Sequence, residues 1–174
     1  MRTTDRVRET FARIRKQYGA DQPLRGYATV LGVYSGVVGA LTVAGHAAGT
    51  RLPERFGLGD TVLLSVATHK ASRLLAKDAV ASPLRAPFAR YEESAGEGEL
   101  NESVRGHGVQ HAAGELLTCP FCLAVWIATG LTAGMVFQPR FTRLVATVLT
   151  AVAASDVLQF AYDGAKQALE KVSG

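Results

Sequence analysis

The sequence predicts an all-α integral membrane protein with about four transmembrane helices, preceded by an N-terminal amphipathic helix. Three observations predict it. Charge-free stretches of 20 or so residues alternate with short polar ones. Lys and Arg crowd into every other polar segment. The mean hydropathy of +0.12 is thus an average of greasy spans and strongly polar flanks. A length of 174 residues suits one domain. A hydrophobic content of 48% against 20% charged residues excludes disorder from charge excess, and two cysteines cannot build a disulfide framework.

Residues 1–25 are basic, with Arg2, Arg6, Arg8, Arg13, Arg15, Lys16 and Arg25 against Asp5, Glu9 and Asp21. Val7, Phe11, Ile14 and Tyr18 recur at spacings of three and four, which predicts an amphipathic helix. Such a helix suits an anionic lipid surface, and a solvated charged helix is the competing reading. Residues 26–49 then run without a formal charge, long enough to cross a hydrocarbon core of about 30 Å. The run starts late and is too long for the apolar region of a cleaved signal peptide, which is not expected here. Gly32, Gly36 and Ala40 form a small-residue stripe along it, of the kind that lets another helix approach closely.

Residues 57–76 make a weaker candidate, because Asp60 precedes the apolar part and His69, Lys70 and Arg73 interrupt it. They are read as a short or partly inserted span whose basic end snorkels to the headgroups, with a re-entrant or interfacial helix as the rival. Residues 116–137 and 142–162 are the remaining spans, joined by a short turn at Gln138, Pro139 and Arg140 that implies a helical hairpin. The last span carries one acid, Asp156, and ends near Tyr162, where an interfacial aromatic belongs. Four spans leave 15 Lys and Arg on the side of both ends of the chain and 4 on the other. The excess of positive charge therefore places both termini in the cytoplasm of a multi-pass cell-membrane protein. This charge flanks the spans, so nucleic acid is not implied as a partner. The bilayer is, along with a membrane protein partner or a second copy.

The connection at 78–115 is predicted to be a cytoplasmic loop. Pro83 and Pro87 argue against a regular helix and for extended chain. Residues 94–103, small and acidic, read as a mobile, solvated excursion. Further on, His107, His111 and Glu115 fall at helical spacing and lead towards Cys119 and Cys122, although Gly106, Gly108 and Gly114 weaken a helix there.

Thr118-Cys119-Pro120-Phe121-Cys122 opens the third span. Proline is favoured in a first helical turn, so Thr118 or Cys119 caps the helix and both sulfurs sit where unpaired N–H groups and the helix dipole stabilise a thiolate. The Cys-Pro-x-Cys arrangement resembles the dithiol of thioredoxin-like oxidoreductases, but no strand precedes it. Three readings stay open. The thiols are small packing residues at a membrane interface; or they bind a metal such as zinc with His69, His107 or His111; or they cycle redox, tuned by Glu115 or Lys70. No cofactor is required by the first.

The second polar constellation comprises His69, Lys70, Arg73, Lys77, Asp78 and Arg85. Charges inside a span need partners, and Asp156 is the natural counter-charge for Lys70 or Arg73, with Asp78 pairing locally. No phosphate-binding glycine loop, Gly-x-Ser-x-Gly or His-Glu-x-x-His is present in the sequence.

Three blocks taken in order carry a family resemblance: Ala67-Thr68-His69-Lys70-Ala71-Ser72-Arg73-Leu74-Leu75-Ala76-Lys77-Asp78, then Ser82-Pro83-Leu84-Arg85-Ala86-Pro87-Phe88, then Gly114-Glu115-Leu116-Leu117-Thr118-Cys119-Pro120-Phe121-Cys122-Leu123. Together they resemble the bacterial membrane family catalogued as domain of unknown function 1360. That family occurs in sporulating Bacillus and in actinobacteria, and some Bacillus members carry a sporulation label. The resemblance covers roughly residues 57–163 and implies a multi-span protein but no activity. The Ala- and Arg-rich composition fits an actinobacterial member. The functional expectation is a non-enzymatic membrane scaffold or assembly component, with a thiol oxidoreductase or a metal-binding module as alternatives.

Overall fold

A computed structural model describes residues 3–19 and 22–173. The chain is mostly helical. Helix α1 spans Thr3–Tyr18, α2 Leu24–Ala47 and α3 Leu58–Lys77. A 3₁₀ turn at Ala79–Ala81 and the one-turn α4 at Ser82–Arg85 lead into strands β1 (Ala89–Gly96) and β2 (Glu99–Val104). Helices α5 (Val109–Thr118), α6 (Pro120–Phe137) and α7 (Pro139–Ser173) complete the chain. Three of these helices, α2, α6 and α7, are long and apolar enough to cross a membrane.

The contacts between helices define their directions. Asp60, Leu63 and Lys70 of α3 meet Arg143, Thr150 and Asp156 of α7 in ascending order, so these two helices run parallel along their shared length. Tyr34 of α2 meets Trp126 and Thr129 of α6, and Gly45 lies beside Phe137, so this pair is parallel as well. Between α6 and α7 lies the single residue Gln138. Its N–H reaches back to the Gly134 carbonyl, and its own carbonyl accepts from the Thr142 N–H, closing a tight helical hairpin. Helix α3 packs against both α6 and α7 and is the centre of the bundle. Its buried positions are small ones, Ala67, Ser72 and Ala76, which bring neighbouring backbones close.

The prediction of an all-α chain with a loop at 78–115 needs correction. Residues 89–104 form an antiparallel two-stranded sheet, paired from Ala89 opposite Val104 to Gly96 opposite Glu99, with two bulges. Gly96, Glu97 and Gly98 make the turn, all at positive φ (+90°, +43° and +81°), a conformation that two of these three positions reach at no steric cost because they are glycine. The acidic stretch read as a solvated excursion is therefore mostly β2 and its turn. Leu100, Glu102 and Val104 alternate onto one half-buried face. The extended chain expected around Pro83 is a helical turn instead, because proline sits in the first turn of α4, where its missing N–H would have no partner anyway.

The third predicted span, 116–137, is also broken. Cys119 is extended (φ −104°, ψ 107°) because a residue before proline is pushed out of the helical region, so α5 ends at Thr118 and α6 begins at Pro120. The last helix runs well past the expected 162 to Ser173, carrying polar residues Asp163, Lys166, Glu170 and Lys171 on its extension. His107 lies ahead of α5, with Gly106 and Gly108 at positive φ on either side, so it does not share a helical face with His111 and Glu115. Gly114, by contrast, sits inside α5, since a Cβ there would lie 2.5 Å from the Val104 side chain and 2.8 Å from the Phe88 carbonyl oxygen.

Close approach also explains Gly26, where a Cβ would meet the Gly108 carbonyl oxygen at 2.3 Å and the Ala112 side chain at 2.8 Å. Gly32, in the same helix, has open space around it. Gly26→Leu is thus expected to pry α2 from α5 and destabilise the chain by about 1–3 kcal/mol. Gly32→Leu should leave the thermal unfolding midpoint unchanged, both followed by circular dichroism in detergent.

Candidate functional site

The polar residues gather where the C-terminal end of α3 meets the sheet and α7. Arg85 is the most buried of them, with its side chain 1% exposed. Its Nε donates to the Glu102 carboxylate of β2, and its Nη1 donates to the carbonyls of Leu75 (2.9 Å) and Asp78 (3.1 Å). Carbonyls at a helix C-terminus have no intrahelical partner, so the guanidinium caps α3 while gripping the sheet. The Gly98 carbonyl accepts from the Ala79 N–H at 2.8 Å, and Asp78 bridges to Glu99, adding backbone pairing at the same junction.

Arg73 makes a bidentate pair with Glu99, at 2.6 and 2.8 Å. Lys70 reaches Asp156 on α7 at 2.9 Å and stands 4.0 Å from Asp78, so one ammonium serves two carboxylates. The counter-charge expected for Lys70 or Arg73 therefore goes to Lys70, while Arg73 turns to the sheet. Asp78 faces Lys70, and Lys77 beside it is half-buried. Lys70, Arg73 and Asp78, together with His69, line a cleft of about 830 Å³ bounded by α3, the sheet turn and α7. At the far end of α3, Asp60 and Arg143 form a second bidentate pair, at 2.9 and 3.0 Å.

Cys119 and Cys122 lie elsewhere, in a groove of about 760 Å³ between α2, α5 and α6, with Tyr27, Tyr34, Glu115 and Trp126. Cys119 is half-buried and Cys122 exposed, both as free thiols. The Cys122 N–H donates to Cys119 Sγ at 3.2 Å, which makes the Cys119 sulfur the N-cap of α6. Glu115 Oε1 is 3.5 Å from His111 Nε2, and Glu115 Oε2 is buried without a hydrogen-bond partner. His69 lines the other cleft and His107 precedes α5. Among the described residues, no three His, Cys, Asp or Glu side chains gather closely enough to hold a metal ion.

Sequence reasoning missed Glu99, Glu102, Asp60 and Arg143 as partners. The signal for the first two was confined to the Gly96-Glu97-Gly98 turn, since the charged runs on either side show no apolar alternation. Nothing local marks the Asp60–Arg143 pair, whose members stand 83 positions apart.

These features define a helix-rich protein with three long apolar helices and a small charge-paired sheet clamped to one end of its bundle. The chain belongs to the family described as protein of unknown function (DUF1360), whose model matches residues 63–162. That stretch holds α3 from Leu63 through α7 to Tyr162, and with it Lys70, Arg73, Arg85, Glu99, Glu102 and Asp156. The sporulation protein YjcA of Bacillus subtilis (strain 168) is 40% identical over 70 residues, covering 38% of this chain and 59% of that protein. The chain thus matches less than two thirds of its curated relative. No solved structure matches it.

Removing the Arg85 guanidinium would strand the Glu102 carboxylate, 5% exposed, without a partner. Arg85→Met is therefore expected to cost about 3–5 kcal/mol in denaturant unfolding, and Arg85→Met/Glu102→Leu to recover most of it.

Proposed function

We propose that the chain is a four-span membrane scaffold without catalytic activity, its sheet and both termini in the cytoplasm. The ion-pair cluster holds the sheet at the membrane surface, where assembly partners dock. The observation that carries this reading is the pairing of the cluster itself. Lys70, Arg73 and Arg85 each spend their charge on a carboxylate of another element, leaving these cations as braces rather than as free acids, bases or anion ligands.

The four-span count is supported by the parallel run of α3 beside α7. Twenty residues of helix reach about 30 Å, the thickness of a hydrocarbon core. If α7 crosses, α3 crosses with it, and its polar residues turn towards α7 and the sheet instead of lipid. The alternation of helix directions then brings the start of α2, the sheet and the end of α7 to one side. That side carries the excess of Lys and Arg, as the positive-inside tendency requires. Sidedness of this kind also explains the length of α7, about 52 Å, whose polar last third extends beyond the core.

For the cysteines, the capping bond from Cys122 to Cys119 supports a structural part in the break between α5 and α6. The name of the Bacillus subtilis relative, a sporulation protein, supports a setting in cell development.

A photo-crosslinking residue at Tyr91, exposed on β1, tests the scaffold in living cells. A discrete adduct is expected from the full chain and is expected to disappear with Arg85→Met, which frees the sheet. Absence of any adduct, or an adduct indifferent to Arg85, would contradict docking on a clamped sheet.

A further inference from the structure

The cluster and its sheet leave α1 unexplained. Among the described residues, no element packs substantially against it. Val7 is 53% exposed, Phe11 52%, Ile14 49% and Tyr18 68%, so its whole apolar stripe lies uncovered. At 3.6 residues per turn, these four positions fall within about 60° of arc.

Charge is ordered around that stripe. The same period puts positions 6 and 13 on one flank and positions 8 and 15 on the other, and all four are arginine. The two acids of the helix, at positions 5 and 9, fall on the opposite face, together with the lysine at position 16. A helix whose four arginines flank its apolar stripe on both sides and whose acids lie opposite matches a surface that is apolar below and negative at its boundary. That surface is the anionic headgroup layer over a hydrocarbon core.

We propose that α1 lies in the plane of an anionic cytoplasmic leaflet, with Val7, Phe11, Ile14 and Tyr18 sunk among the acyl chains and the arginines at their flanks on lipid phosphates. The stripe is narrow, and an isolated helix of 16 residues is marginal in water, so lipid charge decides whether the helix forms and stays. Because α2 begins at Leu24, a few residues beyond, the surface is within immediate reach. The scaffold then senses the lipid composition of the leaflet on which its sheet stands. This inference uses the membrane crossing by α2 and is independent of what the sheet binds.

Amide hydrogen exchange on the full chain, one copy per nanodisc, tests it. In discs containing phosphatidylglycerol, residues 3–18 are expected to exchange about tenfold more slowly than in discs of phosphatidylcholine alone. Arg6→Glu/Arg13→Glu is expected to abolish the difference, as is Phe11→Ser/Ile14→Ser, with exchange in α2 unchanged in both. Equal protection of residues 3–18 in the two lipids would overturn the proposal in favour of packing within the chain. Equal lack of protection would overturn it in favour of a protein partner.

Discussion

The architecture of this chain depends on one buried guanidinium. Arg85 sits where the bundle ends and the sheet begins, and a single side chain serves both. Its Nη1 takes up the last carbonyls of α3, and its Nε holds Glu102 of β2. The bidentate Arg73–Glu99 pair and the Ala79 N–H to Gly98 carbonyl bond reinforce the same junction. A two-stranded sheet alone is marginal in water, and this one rests on packing of Val104 against α5 and on the Arg73–Glu99 and Arg85–Glu102 pairs to the rest of the chain. A lysine could not substitute, since only the planar fork of arginine reaches a carboxylate and two carbonyls at once.

From that clamp follows the role of α3. Its sequence reads as the weakest of the spans, and it is not apolar enough to rank with α2, α6 and α7. It packs between α6 and α7, and its charges are neutralised from neighbouring elements: Asp60 by Arg143, Lys70 by Asp156, Arg73 by Glu99. Each of these three has its partner on a different element, the arrangement that a membrane crossing by α3 would require of its charges. The pairs sit at both ends of α3, leaving Thr61–Thr68 as its apolar middle.

What the sequence could reveal was set by the range of the interactions. The long apolar helices were legible because length and hydropathy are local properties. Asp156 was legible as a counter-charge for Lys70 or Arg73, though not for which of the two, because a charge among apolar residues demands an opposite one. Periodicity alone outlined α1. The sheet was lost because its strands are short and charged, and because Glu99 and Glu102 read as solvent-facing acids unless their distant arginines are known. The break at Cys119 was hidden by the apolar residues on both sides, although the proline after it carried the signal. Likewise the spacing of His107, His111 and Glu115 suggested one helical face, from which the positive-φ glycines around His107 remove it.

The central claim is that α3 crosses the membrane with α7 and carries the sheet to the cytoplasmic side. Labelling of single cysteines by a membrane-impermeant maleimide, with Cys119 and Cys122 replaced by serine, tests it most directly. Intact cells are predicted to label Leu52→Cys and Gln138→Cys, and Ser94→Cys on the sheet only after lysis. Labelling of Ser94→Cys in intact cells alongside Leu52→Cys would place both ends of α3 on one side and contradict the account.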